Sequence, residues 1–211
     1  MNWRGDRKVI GFKTEYGEFY YGDIEELIKE YVRIDSIDLI FTDQITATEP
    51  SIYEIEDELY RVADFHSWFV FYSLPEKILE ITELQKFRFR WQIVAIDTQR
   101  VKYVPVLVFS NGEPRLYSKK REVLFVDKYP ETCELDKESF RPTLTNAQIL
   151  SMFSRRGHLV LDPFAGYGSI PLMCEKLRRY WIAFESDREK FKEAVRLFLN
   201  NNINFDLITT E

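Results

Sequence analysis

The stretch from Leu159 to Ser169, Leu-Val-Leu-Asp-Pro-Phe-Ala-Gly-Tyr-Gly-Ser, constrains this chain more than any other. A short apolar run, Leu159 to Leu161, stops at Asp162 and then turns through Gly166 and Gly168. A helix-compatible segment, Ile170 to Leu177, follows. Strand, glycine turn and helix in that order are the layout of a nucleotide-type cofactor site. Neither glycine carries a Cβ, so the backbone can come close to a ligand there. A dinucleotide is disfavoured, because its fingerprint needs a third glycine where this chain has Pro171.

A second acid supports the site. Tyr180-Trp181-Ile182-Ala183-Phe184 reads as the next strand and ends at Glu185. An acid at the carboxyl end of the second strand of a parallel βαβ unit can accept both ribose hydroxyls. An ordinary βαβ turn would use its glycines for tight packing alone and leave Glu185 as a surface acid. The joint spacing of Asp162, Gly166, Gly168 and Glu185 favours the cofactor site over that plainer alternative.

Asp162-Pro163-Phe164-Ala165-Gly166-Tyr167-Gly168-Ser169, followed by Arg178 to Glu185, resembles the S-adenosylmethionine motif of DNA amino-methyltransferases. Those enzymes methylate N6 of adenine or N4 of cytosine. The late position of the motif is similar to the permuted, beta-type subgroup, in which the catalytic half comes first. Gly22-Asp23 before Ile24 to Tyr31 resembles the opening of such enzymes, and Ser36 to Asp43 resembles the strand carrying the catalytic motif. Arg141-Pro142-Thr143, then Asn146 to Phe153 and Gly157, is similar to the segment leading into the cofactor strand and covering the methionine end of the cofactor.

The resemblance implies an α/β fold of the S-adenosylmethionine-dependent methyltransferase (Rossmann-like) type: a seven-stranded mixed sheet with helices on both faces. It implies one domain, with a catalytic-type half at 22–110, a short recognition or linker segment at 111–140 and a cofactor-binding half at 141–211. S-adenosylmethionine would lie over Gly166 to Gly168. Asp162 would sit by the methionine moiety with Pro163 and Phe164 in the same motif, and Glu185 would hold the ribose. Phe164 and Phe184 are candidates for the purine slot or for plain core. Asp43 would meet the substrate amine in a single displacement.

One departure from the family pattern stands out. The family's catalytic motif is an Asp, Asn or Ser followed by Pro-Pro and an aromatic residue, whereas this chain reads Asp43-Gln44-Ile45-Thr46. In that motif the acid or amide and a backbone carbonyl align the amine for in-line attack. The prolines fix the backbone that presents the carbonyl, and the aromatic ring stacks on an extruded base. Thr46 cannot stack. Two readings follow: a methyltransferase with a divergent loop, or a non-catalytic homologue acting as a nucleic-acid-binding or regulatory subunit. Tyr53 reads as a core residue at a helix start, and Ser51-x-x-Glu54 as a capping box.

The remaining expectations concern setting and partners. A chain of 211 residues with 45% hydrophobic and 16% aromatic content can bury one core. It has no long uncharged apolar run, so no membrane span is expected. The opening residues lack the apolar core of a signal peptide, and with only two cysteines, far apart in sequence, a reducing, intracellular, cytoplasmic setting is the expectation. Cys133 and Cys174 match no metal spacing, and with two histidines, His66 and His158, no metal is expected. Cys174 reads as a packed thiol and His158 as structural.

A net charge of −6 argues against strong autonomous binding to phosphates. Among the local basic groups, Lys119, Lys120 and Arg121 are the best candidates for a backbone contact with nucleic acid, expected to be DNA. The segment around them is too short for a large sequence-reading domain. Target choice would then need a partner (such as an active subunit in a homo- or hetero-oligomer), a second copy of the chain, or a very simple target.

Periodicity places strands at 9–13, 18–21, 37–42, 68–72, 91–96, 104–109 and 203–209. It places helices at 24–31, 54–65, 75–86, 146–153, 170–177 and 187–199.

Overall fold

The computed structural model describes residues 9–43, 51–73, 75, 78, 84–97, 102–120, 122–126 and 143–209. Among the described residues, ten strands form one mixed sheet, and five helices pack on it. The strands are β1 (Val9–Lys13), β2 (Gly17–Tyr21), β3 (Ile37–Asp43), β4 (Ala63–Tyr72), β5 (Arg88–Asp97), β6 (Lys102–Ser110), β7 (Val123–Val126), β8 (Leu159–Asp162), β9 (Tyr180–Glu185) and β10 (Asp206–Thr209). The helices are α1 (Ile24–Tyr31), α2 (Glu56–Val62), α3 (Thr143–Phe153), α4 (Ser169–Lys176) and α5 (Arg188–Asn200).

The order across the sheet is β10-β1-β2-β9-β8-β3-β4-β6-β5-β7. The five strands from β2 to β4 run parallel, and β6 and β5 continue the sheet antiparallel. The expected mixed sheet is present with ten strands instead of seven. The outermost strands are β10 and β1 on one side and β7 on the other; β1 and β10 match the runs read at 9–13 and 203–209, and β7 has no counterpart in the sequence reading. A strand as short as β7 carries little signal of its own, because its existence depends on a neighbour already in place.

Alternation along the parallel strands sends successive side chains to opposite faces. Phe19, Leu39, Phe41, Val70, Val160, Trp181 and Ala183 enter one core, which α3, α4 and α5 cover. Tyr20, Ile40, Phe69, Phe71, Leu161, Ile182 and Phe184 enter the other, which α1 and α2 cover. Helices therefore lie on both faces, as expected.

Local chemistry sets most boundaries. Asp23 caps α1 by accepting from the Glu26 amide at 2.9 Å, and Asp187 caps α5 by accepting from the Glu189 and Lys190 amides. Arg61 donates to the Ile28 and Val32 carbonyls at the end of α1. The helix expected over 54–65 is α2, which is shorter and passes directly into β4 at Ala63. Parallel pairing of Ala63 with Ile37 overrides the helical period there. The Ser51–Glu54 box forms both hydrogen bonds but closes the turn before α2 rather than capping it. Most of the helix expected over 75–86 lies outside the described residues. Among those residues, no helix is long and apolar enough to cross a membrane.

Candidate functional site

The carboxyl ends of the five parallel strands place Tyr21, Glu185, Asp162, Asp43 and Tyr72 along one end of the sheet. From β8 the chain runs through α4 to β9 on one side. From β3 it runs through α2 to β4 on the other. The crossovers diverge between β8 and β3, so a switch-point crevice opens there, flanked by Asp162 and Asp43.

Asp162 is buried at the end of β8. Its Oδ1 accepts from the Thr42 hydroxyl at 2.6 Å and from the Phe164 amide at 3.3 Å. The first bond joins β8 to β3 directly beside Asp43, and the second bends the chain into the glycine turn. Gly166 (φ +53°) and Gly168 (φ +82°) both adopt left-handed backbone. A Cβ on Gly166 would meet nothing within 4 Å, so open space lies above it; one on Gly168 would press the Ala194 Cβ at 3.1 Å. The first glycine thus faces a crevice, and the second lets α5 pack close.

Glu185, buried at the end of β9, reaches across to that turn. Its Oε2 accepts the Gly166 amide and its Oε1 the Asp187 amide, each at 2.7 Å. Burial raises its pKa above the ordinary glutamate value against these two amides and Lys190. Each oxygen retains a second lone pair for a ligand hydroxyl. An open glycine turn with a buried, pre-oriented carboxylate beside it fits the nucleoside end of S-adenosylmethionine.

Asp43 is buried at the end of β3 and pairs in register with Tyr72. The Tyr72 hydroxyl donates to Asn146 Oδ1 at 2.7 Å, and Asn146 Nδ2 lies 3.4 Å from the Ser169 Oγ. Burial raises the Tyr72 pKa, so its proton stays in place. Gln44, Ile45 and Thr46 lie outside the described residues.

The other expected residues fall as follows. Pro163 is buried, and Phe164 and Phe184 both pack into the second core. Lys119 is exposed, Lys120 sits over the Trp91 ring and 3.5 Å from Glu122, and Arg121 lies outside the described residues. Tyr53 packs against the second core. Cys174 is wholly buried with its thiol pKa pushed up by burial, and Cys133 lies outside the described residues. His158 accepts from Arg155, and burial lowers its pKa despite nearby Asp38. No metal-binding cluster occurs among the described residues. Sequence reasoning missed Thr42, Tyr72 and Asn146, whose polar side chains gain meaning only from partners far along the chain.

A cavity of about 530 Å³ lies at the opposite end of the sheet, lined by Lys13, Tyr16, Glu18, Tyr31, Tyr180 and neighbouring residues. In its lining Glu18 accepts from Lys13, and also from Tyr20 outside it.

The DNA methylase family model matches residues 11–196. The crystal structure of M1.HpyAVI in complex with SAM superposes with a TM-score of 0.71 and 21% identity, covering 85% of this chain and 98% of that one. PvuII DNA methyltransferase, specific for cytosine N4, gives a TM-score of 0.70 and 17% identity, over 91% of this chain and 89% of that one. TTHA0409 from Thermus thermophilus, crystallised with S-adenosyl-L-methionine, gives 0.61 and 19%, over 88% and 95%. No curated protein matches. At these identities the likeness to solved structures is one of architecture.

Proposed function

This chain belongs to the DNA methylase family, and from that premise we propose that it binds S-adenosylmethionine over Gly166 to Gly168 and directs a methyl group to an exocyclic amine of DNA. The observation that carries this reading is the buried Glu185 carboxylate, bonded to the Gly166 amide at the rim of an open glycine turn. The neighbouring folds crystallised with this cofactor support it.

When bound, S-adenosylmethionine supplies a methyl group on a positively charged sulfonium. Glu185 accepts the ribose hydroxyls with its remaining lone pairs. Asp162 fixes the start of the turn, with Pro163 and Phe164 setting its path, and lies toward the amino-acid end. Asp43, one strand over, accepts a hydrogen bond from the target amine and turns the nitrogen lone pair toward the crevice. The first half of the chain, 22–110, serves the substrate, and 141–211 serves the cofactor. The segment 111–140, with Lys119, Lys120 and Arg121, contributes phosphate contacts.

A second reading keeps the fold and the cofactor but not the transfer. It is favoured by Gln44-Ile45-Thr46, which supplies neither the fixed backbone nor the stacking ring. The chain would then act as a nucleic-acid-binding or regulatory subunit beside an active homologue.

Calorimetry with S-adenosylmethionine tests the cofactor site, and tritiated-methyl transfer to unmethylated DNA tests the reaction. Binding with transfer, lost in Asp43→Ala, supports the first reading. Binding without transfer supports the second. Absence of binding overturns both.

A further inference from the structure

Two buried polar side chains and one partly buried serine, from three elements, meet beneath the crevice. Tyr72 ends β4, Asn146 lies in α3 and Ser169 opens α4. Tyr72 is 2% exposed and Asn146 is wholly buried, so neither is there for solubility. A buried amide between apolar neighbours costs free energy unless its oxygen and nitrogen are both used. Here Oδ1 accepts from Tyr72 at 2.7 Å and Nδ2 faces the Ser169 Oγ at 3.4 Å.

The direction of these bonds matters. Raised by burial, the Tyr72 phenol keeps its proton and donates. That fixes the Asn146 amide with its oxygen toward β4 and its NH₂ toward α4. The Ser169 oxygen then receives a donor, and its own proton is free to point onward. Ser169 directly follows Gly168 and is only partly buried, so its hydroxyl stands at the glycine turn. Asp43 and Tyr72 are paired residues, so the strand that carries the candidate amine-holding acid is also the neighbour of the strand that carries Tyr72.

We infer that Asn146 is a positioning residue: with Tyr72 it holds Ser169 and the glycine turn in a cofactor-competent arrangement and fixes the Ser169 hydroxyl as a donor toward the crevice that the methyl donor would occupy. The inference rests on the cofactor reading above. It assigns no ligand contact to Asn146 or Tyr72; both act through Ser169. It also links the substrate side of the sheet to the cofactor side by a physical path of three residues.

A purely structural role and a positioning role separate in the double variant. Tyr72→Phe alone strands the Asn146 oxygen, and Asn146→Leu alone strands the Tyr72 hydroxyl, so both lower Tm. Tyr72→Phe with Asn146→Leu removes both polar partners at similar volume, which restores much of the stability. The Kd for S-adenosylmethionine, read by calorimetry, is expected to stay about tenfold weaker than that of the unsubstituted chain in the double variant, the effect of one lost hydrogen bond. Ser169→Ala should show the same weakening. Recovery of affinity together with Tm, or unchanged affinity in every variant, overturns the inference while leaving the cofactor site standing. An unsubstituted chain that does not bind removes the cofactor reading itself, and the inference with it.

Discussion

Glu185 Oε2 receives the amide proton of Gly166 at 2.7 Å, so the acid at the end of β9 holds the turn that follows β8. One carboxylate thereby shapes the crevice and remains able to accept from a ligand. Two neighbouring strands of the sheet, joined through α4, are locked at the end where the site lies.

Replacing Glu185 with Ala should weaken both functions. The Gly166 and Asp187 amides each lose a charged acceptor, at a cost of about 1–3 kcal/mol. Chemical denaturation reads that loss. Calorimetry should show S-adenosylmethionine affinity reduced at least tenfold at neutral pH. Native-like affinity in this variant removes Glu185 from the site.

The same residue predicts a pH dependence. Its native pKa is raised above 4.5 by burial, so the folded chain holds this proton more tightly than the unfolded chain. Its favourable contribution to stability is therefore complete below the unfolded value and is lost as pH rises through the native value. In Tm measured against pH, Glu185→Gln should lack this decline. Ligand affinity should run the other way. It should fall as pH drops through the raised native value, because protonation removes an acceptor, and this should occur above the range of an ordinary glutamate.

The two glycines of the turn should respond differently to Ala. At Gly168, left-handed backbone costs ~1–2 kcal/mol for a residue with a Cβ, and the new methyl also presses Ala194. At Gly166 the backbone penalty is similar, but the methyl enters open space. Denaturation curves should therefore show Gly168→Ala as the less stable variant. Calorimetry should show Gly166→Ala losing affinity beyond what its stability explains.

Thr42→Val keeps the side-chain shape and removes the hydroxyl that donates to Asp162. A buried carboxylate left short of a donor costs about 1–3 kcal/mol, to be measured by urea unfolding. Thr42→Ser should retain most of the stability. Equal stability of the Val and Ser variants would show that the bond contributes little.

Glu56, buried at the start of α2, accepts from the Gln85, Lys86 and Phe87 amides. Glu56→Ala should strand these donors and cost about 2–3 kcal/mol. Hydrogen exchange should report the loss at residues 85–87, with little change at β8.

Much of the cofactor half was legible in the sequence because its signals are local. The strand Leu159–Asp162, the glycines, the helix at Ser169 and the acid at Glu185 lie close together along the chain, and the structure places each as its pattern predicts. Asp23 was likewise readable as a cap, since a cap bonds to amides only two or three residues away; Asp187, read as the first residue of the helix over 187–199, is instead its cap.

Residue order alone specifies an alternating α/β chain whose strand ends carry Asp43, Asp162 and Glu185. Tertiary structure alone decided the ten-strand order, the early start of β4 at Ala63, and the bonds Thr42–Asp162, Tyr72–Asn146 and Glu56 to residues 85–87. Hydrophobic period and turn chemistry act over a few residues and leave a record in their order. Strand neighbours and buried polar partners join residues far apart in the chain, and they are selected by which groups the completed sheet removes from water together.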